Sequence, residues 1–195
     1  MRDRVRGCLV VLVSVVLVFG PGAGWAQGPI QVITSVIGDI DCFGYGPPVL
    51  QADATLSPDG TWSPCGTLPG FPIQEAGEAA NTDVDLACPG PAITFTHTFT
   101  IPSGATIVGA VWQINLGGVE RSKFRTVLLL NKVLPVIVPN TGPLGTALVV
   151  VPLIPPLTSI LADGHLEVRL IRSWWFGCDD IFVDYLALAI AVQLP

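Results

Sequence analysis

The chain has 195 residues, half of them hydrophobic and only 12% charged, with 21 Gly, 18 Pro and a formal net charge of −6. So apolar a composition excludes a disordered chain. The acidic balance excludes nucleic acid and anionic membrane as partners, because both need clustered Lys and Arg; the one basic group, Arg121, Lys123 and Arg125, reads as a solvated strand-end turn.

The N-terminus sets the compartment. Arg2, Arg4 and Arg6 precede an apolar run from Cys8 to Phe19, Pro21 and Gly22 break it, and Gly24-Trp25-Ala26 offers small residues for cleavage. These parts in this order read as a secretory signal peptide over residues 1–26. The run is about a dozen residues, where a spanning helix needs about 20. The mature chain, 27–195, is expected to be a single secreted, extracellular domain with no membrane span. Three of the nine Lys and Arg and one of the 15 Asp and Glu leave with the signal, so 6 basic face 14 acidic residues, net −8. Four cysteines then remain, Cys42, Cys65, Cys88 and Cys178, an even number that implies disulfides in an exported chain. No CxxC pair or Cys/His cluster is present to suggest zinc.

Ile30 to Ile37 reads as the first strand and runs into a turn rich in glycine and carboxylate, Gly38 to Gly46. From Pro47 to Pro91 the chain is irregular, and so long a loop in a compact domain is normally functional or cross-linked. Ala92 to Ile101 alternates, with Ile93, Phe95, His97, Phe99 and Ile101 on one face and threonines on the other, the period of a half-buried antiparallel strand. Ala105 to Leu116 alternates again, with Val108, Ala110, Trp112, Ile114 and Leu116 sharing a face. Shorter apolar runs follow at Thr126–Leu130, Val133–Val138 and Thr146–Leu153. Leu166–Ile171 and Ile181–Val192 close the domain. Strands at this spacing without helices between them predict a β-sandwich or barrel, with the first and last strands paired in one sheet.

In the last strand Phe182, Asp184, Leu186, Leu188, Ile190 and Val192 alternate on what reads as the core face. A carboxylate there needs a cation, strong donors or a place at the end of the sandwich, because a buried unpaired charge costs several kcal/mol. Pairing of the first and last strands would bring Asp39, Asp41, Asp179, Asp180 and Asp184 to one end. Oxygen ligands in that number suit Ca²⁺; the alternative is a set of solvated turn aspartates, with Asp184 held by backbone N–H groups. The same pairing predicts a Cys42–Cys178 disulfide, which leaves Cys65–Cys88 as a staple within the long loop. Asp83 and Asp85 in that loop read as surface residues.

Trp174-Trp175-Phe176 lies between the last two strands. If one indole faces outward it offers a stacking surface for a sugar, while its neighbour packs inward; Trp62 and Tyr45 are further candidates. His97 reads as a core or edge histidine and His165 as a turn residue. With two His and no Gly-x-Ser-x-Gly elbow, nucleophilic hydrolysis has no support.

Several segments together resemble a known group. Gly38-Asp39-Ile40-Asp41-Cys42-Phe43-Gly44 looks like the Asp-x-Asp-Gly-Phe-Gly opening of bacterial exported jelly-roll domains, often found in proteins with a PEP-CTERM-type sorting tail. Phe99 to Ile107 (FTIPSGATI) is similar to their central hairpin, and Leu128 to Asn131 to their strand ending in Leu-Asn-Gly. Leu161 to Gly164 and Asp179 to Tyr185 match the closing pattern. That ending also resembles galactose-binding-like carbohydrate-binding modules, in which a terminal-strand Asp helps hold a structural calcium. The resemblance covers most of residues 30–192 and implies a jelly-roll-like antiparallel β-sandwich with calcium at Asp39, Asp41 and Asp184. It departs at two points: no sorting tail follows the last strand, and Cys42 and Cys178 stand where the group has glycine or polar residues, as though a disulfide replaced the calcium loop.

These readings converge on a secreted, non-catalytic binding module with two disulfides. A polysaccharide is the expected partner, with Trp174 and Trp175 as ligand-binding residues, and another extracellular protein is the alternative. As a structural or adhesive surface component the chain would assemble through its apolar segment Val127–Leu161. A glycan-cleaving enzyme comes third.

Overall fold

The computed structural model describes residues 28–38, 41–45, 65–70, 81–83, 85–86, 92–120, 126–172 and 181–195. The expected signal segment lies outside them. Among the described residues nine strands run in chain order: β1 (Ile30–Gly38), β2 (Asp85–Leu86), β3 (Ile93–Thr98), β4 (Thr106–Gly117), β5 (Thr126–Leu130), β6 (Leu134–Ile137), β7 (Thr146–Leu153), β8 (His165–Arg172) and β9 (Ile181–Gln193). A 3-10 turn, Leu157–Leu161, links β7 to β8. Among the described residues no helix is long and apolar enough to cross a membrane.

All strand pairs are antiparallel. One sheet has the order β1-β9-β4-β7, with β2 added against the start of β9; the other has the order β3-β8-β5-β6. The first and last strands pair over their whole shared length, from Ile30 opposite Gln193 to Gly38 opposite Tyr185. The two sheets face each other across one core. Ile93, Phe95, Leu128, Leu130, Leu166, Val168 and Leu170 from the smaller sheet meet Trp112, Ile114, Leu116, Val183, Leu186, Leu188 and Ile190 from the larger. That is the β-sandwich the alternation predicts, because each strand with period two hides one row of side chains and leaves the other outside.

Turn chemistry agrees with the hairpins. Asn131 and Lys132, in the three-residue connection between β5 and β6, have φ of 44° and 62°, and Val133 N closes the turn on Leu130 O at 3.1 Å. Asn131 also closes the neighbouring strand, with its N–H donating to Glu167 O at 2.8 Å and its Oδ1 accepting from Glu167 N at 2.6 Å.

Two bulges correct the alternation read from the sequence. The β4–β9 register jumps between Ile107 and Gly109, so Val108 is an extra residue and Ile107, not Val108, packs toward the core. It jumps again between Asn115, opposite Tyr185, and Leu116, opposite Val183, which makes Asp184 the extra residue on β9. Inserting one residue resets the face of everything beyond it. Ile181 and Val183 therefore join Leu186 and Leu188 in the core, while Phe182 belongs to a second cluster on the opposite side of the sheet.

The apolar segment Val127–Leu161 mostly supplies the core: Leu128, Leu130, Val138, Val149, Leu153 and Leu161 are buried. Val133, Ile137, Ile154 and Leu157 are its exposed large side chains.

His97 lies on the inward face of β3, fully buried, with Nδ1 3.1 Å from Ser35 Oγ on β1. The contact ties the two sheets together at their β1–β3 edge. Nε2 has no partner among the described residues, and burial pushes the imidazole down to a pKa of about 4. A base whose folded pKa lies below its unfolded value of 6.5 contributes its full stability above pH 6.5. It loses that stability as the pH falls toward 4, because the unfolded chain takes up the proton first. We expect His97→Gln to remove this component, so that the difference in unfolding free energy between wild type and variant changes by about 3 kcal/mol across that window. Urea titrations at pH 4 and pH 7 check it, and a pH-independent difference would refute it.

Candidate functional site: carboxylates on the outer face of the larger sheet

The outward row of β4 and β9 is short of charge, and the site is built on it. Asn115 and Gly117 alternate with the core residues Ile114 and Leu116, so they point away from the sandwich interior. Gly117 lies opposite Phe182, and a Cβ there would collide with the Phe182 ring. The absent side chain lets that ring lie flat on the sheet. Phe43 packs on Phe182 edge to face, with centroids 5.1 Å apart at 88°, and Leu68 completes this second apolar cluster. Pieces of the long irregular loop thus cover the outer face of the larger sheet.

Three anchors hold those pieces. Leu68 N donates to Leu144 O at 2.8 Å, Thr146 Oγ1 donates to Gly66 O at 2.6 Å, and Asp83 N donates to Val183 O at 2.8 Å. The turn after β1 curls back over the sheet through left-handed backbone at Cys42 (φ 62°), Phe43 (φ 59°) and Gly44 (φ 78°). Asn81 (φ 72°) and Asp83 (φ 51°) are left-handed too. Non-glycine residues there carry strain that their surroundings must hold in place.

The disulfide is Cys42–Cys65, with Cα atoms 5.3 Å apart. This corrects both expected pairings, Cys42–Cys178 and Cys65–Cys88. β1 and β9 do end side by side, but the left-handed turn carries Cys42 off the sandwich end and onto the sheet face. There the anchors to β7 have already placed Cys65.

Asp184, the bulge residue, is fully buried under this cover. Its Oδ1 accepts from Phe43 N at 3.0 Å and its Oδ2 from Asn115 Nδ2 at 2.8 Å. Charge-assisted bonds of this kind are about twice as strong as neutral ones. The carboxylate is therefore not on the core face, as simple alternation predicts, but on the opposite side, where its donors include the Phe43 N–H and the Asn115 amide. Asp41 Oδ1 accepts from Gly44 N at 2.8 Å, which closes the turn. Carboxylate oxygens of Asp41, Asp83 and Asp184 all lie within 4.8 Å of one another. Asp83, expected at the surface, is fully buried. Beside them Tyr185 takes a bond from Gln113 Nε2 at 3.4 Å, and burial, then the charge of Asp184, pushes its hydroxyl pKa up out of reach of ordinary titration.

Of the five aspartates expected to cluster, Asp41 and Asp184 come together; Asp39, Asp179 and Asp180 lie outside the described residues, as do Trp174, Trp175, Cys88 and Cys178. Reading the sequence missed two contributors, Asp83 and Asn115. Asp83 approaches through a loop whose path no local pattern gives. Asn115 carried a usable signal, as a lone amide in an apolar strand directly across from the last strand's carboxylate.

Comparison with protein-family models, curated proteins and solved structures returns no match.

Asn115→Leu leaves Asp184 Oδ2 without its amide donor in a buried position. We expect a loss of about 2–3 kcal/mol in urea unfolding; a loss under about 0.5 kcal/mol would mean that Asp184 does not depend on this bond.

Proposed function

We propose that this chain is an extracellular, non-catalytic binding module in which Asp41, Asp83 and Asp184 hold a structural divalent cation, and that calcium is that cation. The observation that carries the reading is the approach of three carboxylates to within 4.8 Å, two of them fully buried. Hard oxygen ligands at this density suit calcium, which also accepts backbone carbonyls and water. A cation would join the turn after β1, the loop before β2 and the bulge of β9. The first two are segments that cover the sheet, and the third belongs to the sheet itself.

The strand order supports a jelly roll. Without the two-residue β2, eight strands divide into sheets of order 1-8-3-6 and 2-7-4-5, every neighbour antiparallel. That is the pattern of two interleaved Greek keys.

Carbohydrate is the proposed ligand class. Tyr45, at the end of the Asp41 turn, is 42% exposed, which gives an aromatic surface on which a sugar ring can stack. Trp174 and Trp175, in the segment that precedes β9, stay in this proposal as stacking residues. A second reading, a surface component that assembles with other extracellular protein, is favoured by β1. It is an edge strand without charge or proline, and Ile30, Val32 and Val36 on it are about half exposed. Natural edges are usually blunted by one of those devices.

In metal-stripped protein, calcium at a hundred times its dissociation constant should add about 2.7 kcal/mol of stability, seen as a raised melting temperature over chelator. Asp83→Asn should remove that rise, and an equal melting temperature with calcium and with chelator would sink the cation. For the ligand, we expect Tyr45→Ala to change unfolding by no more than about 0.5 kcal/mol while abolishing binding on a glycan array. Unaltered array binding by this variant would remove Tyr45 from the site.

A further inference from the structure

We propose that β1 is the contact between two copies of this chain, which join edge to edge about a two-fold axis at Ile33 and merge their larger sheets into one. The inference rests on the second reading above, assembly through β1, and names the partner. Backbone geometry defines the edge. Leu194 N donates to Pro29 O at 3.0 Å, so these two form a hydrogen-bonded pair in the ladder that sets Ile30 opposite Gln193. In an antiparallel ladder such pairs alternate with pairs whose N–H and C=O groups point the other way. Gln31, Ile33, Ser35 and Ile37 therefore turn these groups to β9, while Ile30, Val32, Thr34 and Val36 turn theirs to the open side. Among the described residues no strand pairs with β1 on that side. The same four residues have exposed side chains. At the next such position Thr82 crowds the chain, since a Cβ on Gly38 would lie 3.0 Å from Thr82 Cγ2; the open edge ends at Val36.

A second copy fits this edge because the edge is complementary to itself. An isologous contact that continues a sheet sets β1 antiparallel to β1. With Ile33 on the axis, Ile30 pairs with Val36 of the second copy and Val32 with Thr34, and each pair recurs by symmetry. Four residues with one N–H and one C=O apiece then close eight hydrogen bonds. Moving the axis to Val32 or Thr34 leaves three pairs within the edge, and six bonds. The seam also takes Ile30, Val32 and Val36, each about half exposed, out of water. Charge favours the same line. The chain carries a net −6, so two copies repel on approach. β1, and β3 whose His97 meets Ser35 beside it, contain no Asp, Glu, Lys or Arg, so the contact brings no like charges together. The other two edge strands, β6 and β7, are interrupted by Pro135 and Pro152, a device that blunts an edge against pairing.

The test is sedimentation equilibrium of the purified protein at about 0.1 mM, where a complex with a micromolar dissociation constant is saturated. We expect the mass of two chains, falling toward one on dilution. Thr34→Pro removes an N–H that points away from β9, so the dilute monomer should melt near the wild-type temperature. Its dimer dissociation constant should rise at least about tenfold. Val32→Lys combined with Val36→Lys, which sets like charges diagonally across the axis, should weaken the dimer as much. On dimer formation, amide hydrogen exchange should slow at Ile30, Val32, Thr34 and Val36 and stay unchanged at Gln31, Ile33 and Ser35. A wild type that is monomeric at this concentration overturns the second copy as partner, whatever else β1 binds. A dimer that forms without slowing those four amides, or that survives both sets of substitutions, overturns β1 as the contact and the assembly reading with it.

Discussion

A carboxylate on a bulge organises the outer face of this sandwich. Asp184 stands where β9 carries one residue more than β4, and its burial there is tolerable only because donors reach it from two directions. One is Asn115 on the neighbouring strand; the other is the N–H of Phe43, delivered by a turn in strained left-handed backbone. The turn in turn places Phe43 on Phe182, Cys42 on Cys65 and Asp41 next to Asp184. Taking Asp184 away would leave the turn without its strongest attachment to the sheet. The apolar pair Phe43–Phe182 and the disulfide would then carry more of that attachment.

This arrangement separates two jobs that a small sandwich often merges. The core between the sheets is apolar and close-packed around Trp112, Leu186 and Leu188, and supplies the bulk of folding energy through area removed from water. The outer face carries the polar chemistry, under a cover too irregular to be stable by itself. Its pieces are held by point attachments: hydrogen bonds to β7 and β9, one disulfide and the carboxylate. A cation among Asp41, Asp83 and Asp184 would add to the same set of attachments. The observed disulfide joins two of the covering segments to each other, and the proposed metal would join such segments to the sheet. The Cys42–Cys65 bond does not displace the carboxylates, since Cys65 packs beside them. The Cys42–Cys65 disulfide and the three carboxylates therefore stand side by side.

The sequence by itself determined the sandwich. Period-two runs at Ile93–Thr98 and Thr106–Gly117 name their buried rows, because a pleated strand can present only alternate residues to a core. Pairing of the first and last strands was part of that expectation, and β1 does lie along β9. Even Asp184 could be singled out, as a charge in an otherwise apolar strand. Only the tertiary structure decided which face it took, because a bulge is one residue's departure from periodicity and leaves no mark in composition. It also decided the partner of Cys42, since two left-handed residues turn the chain away from the direction β1 was following. The approach of Asp83 to Asp41 across some forty residues of irregular loop was likewise tertiary. Contacts of that range are selected by packing on a sheet already formed, and no local pattern along the chain encodes them.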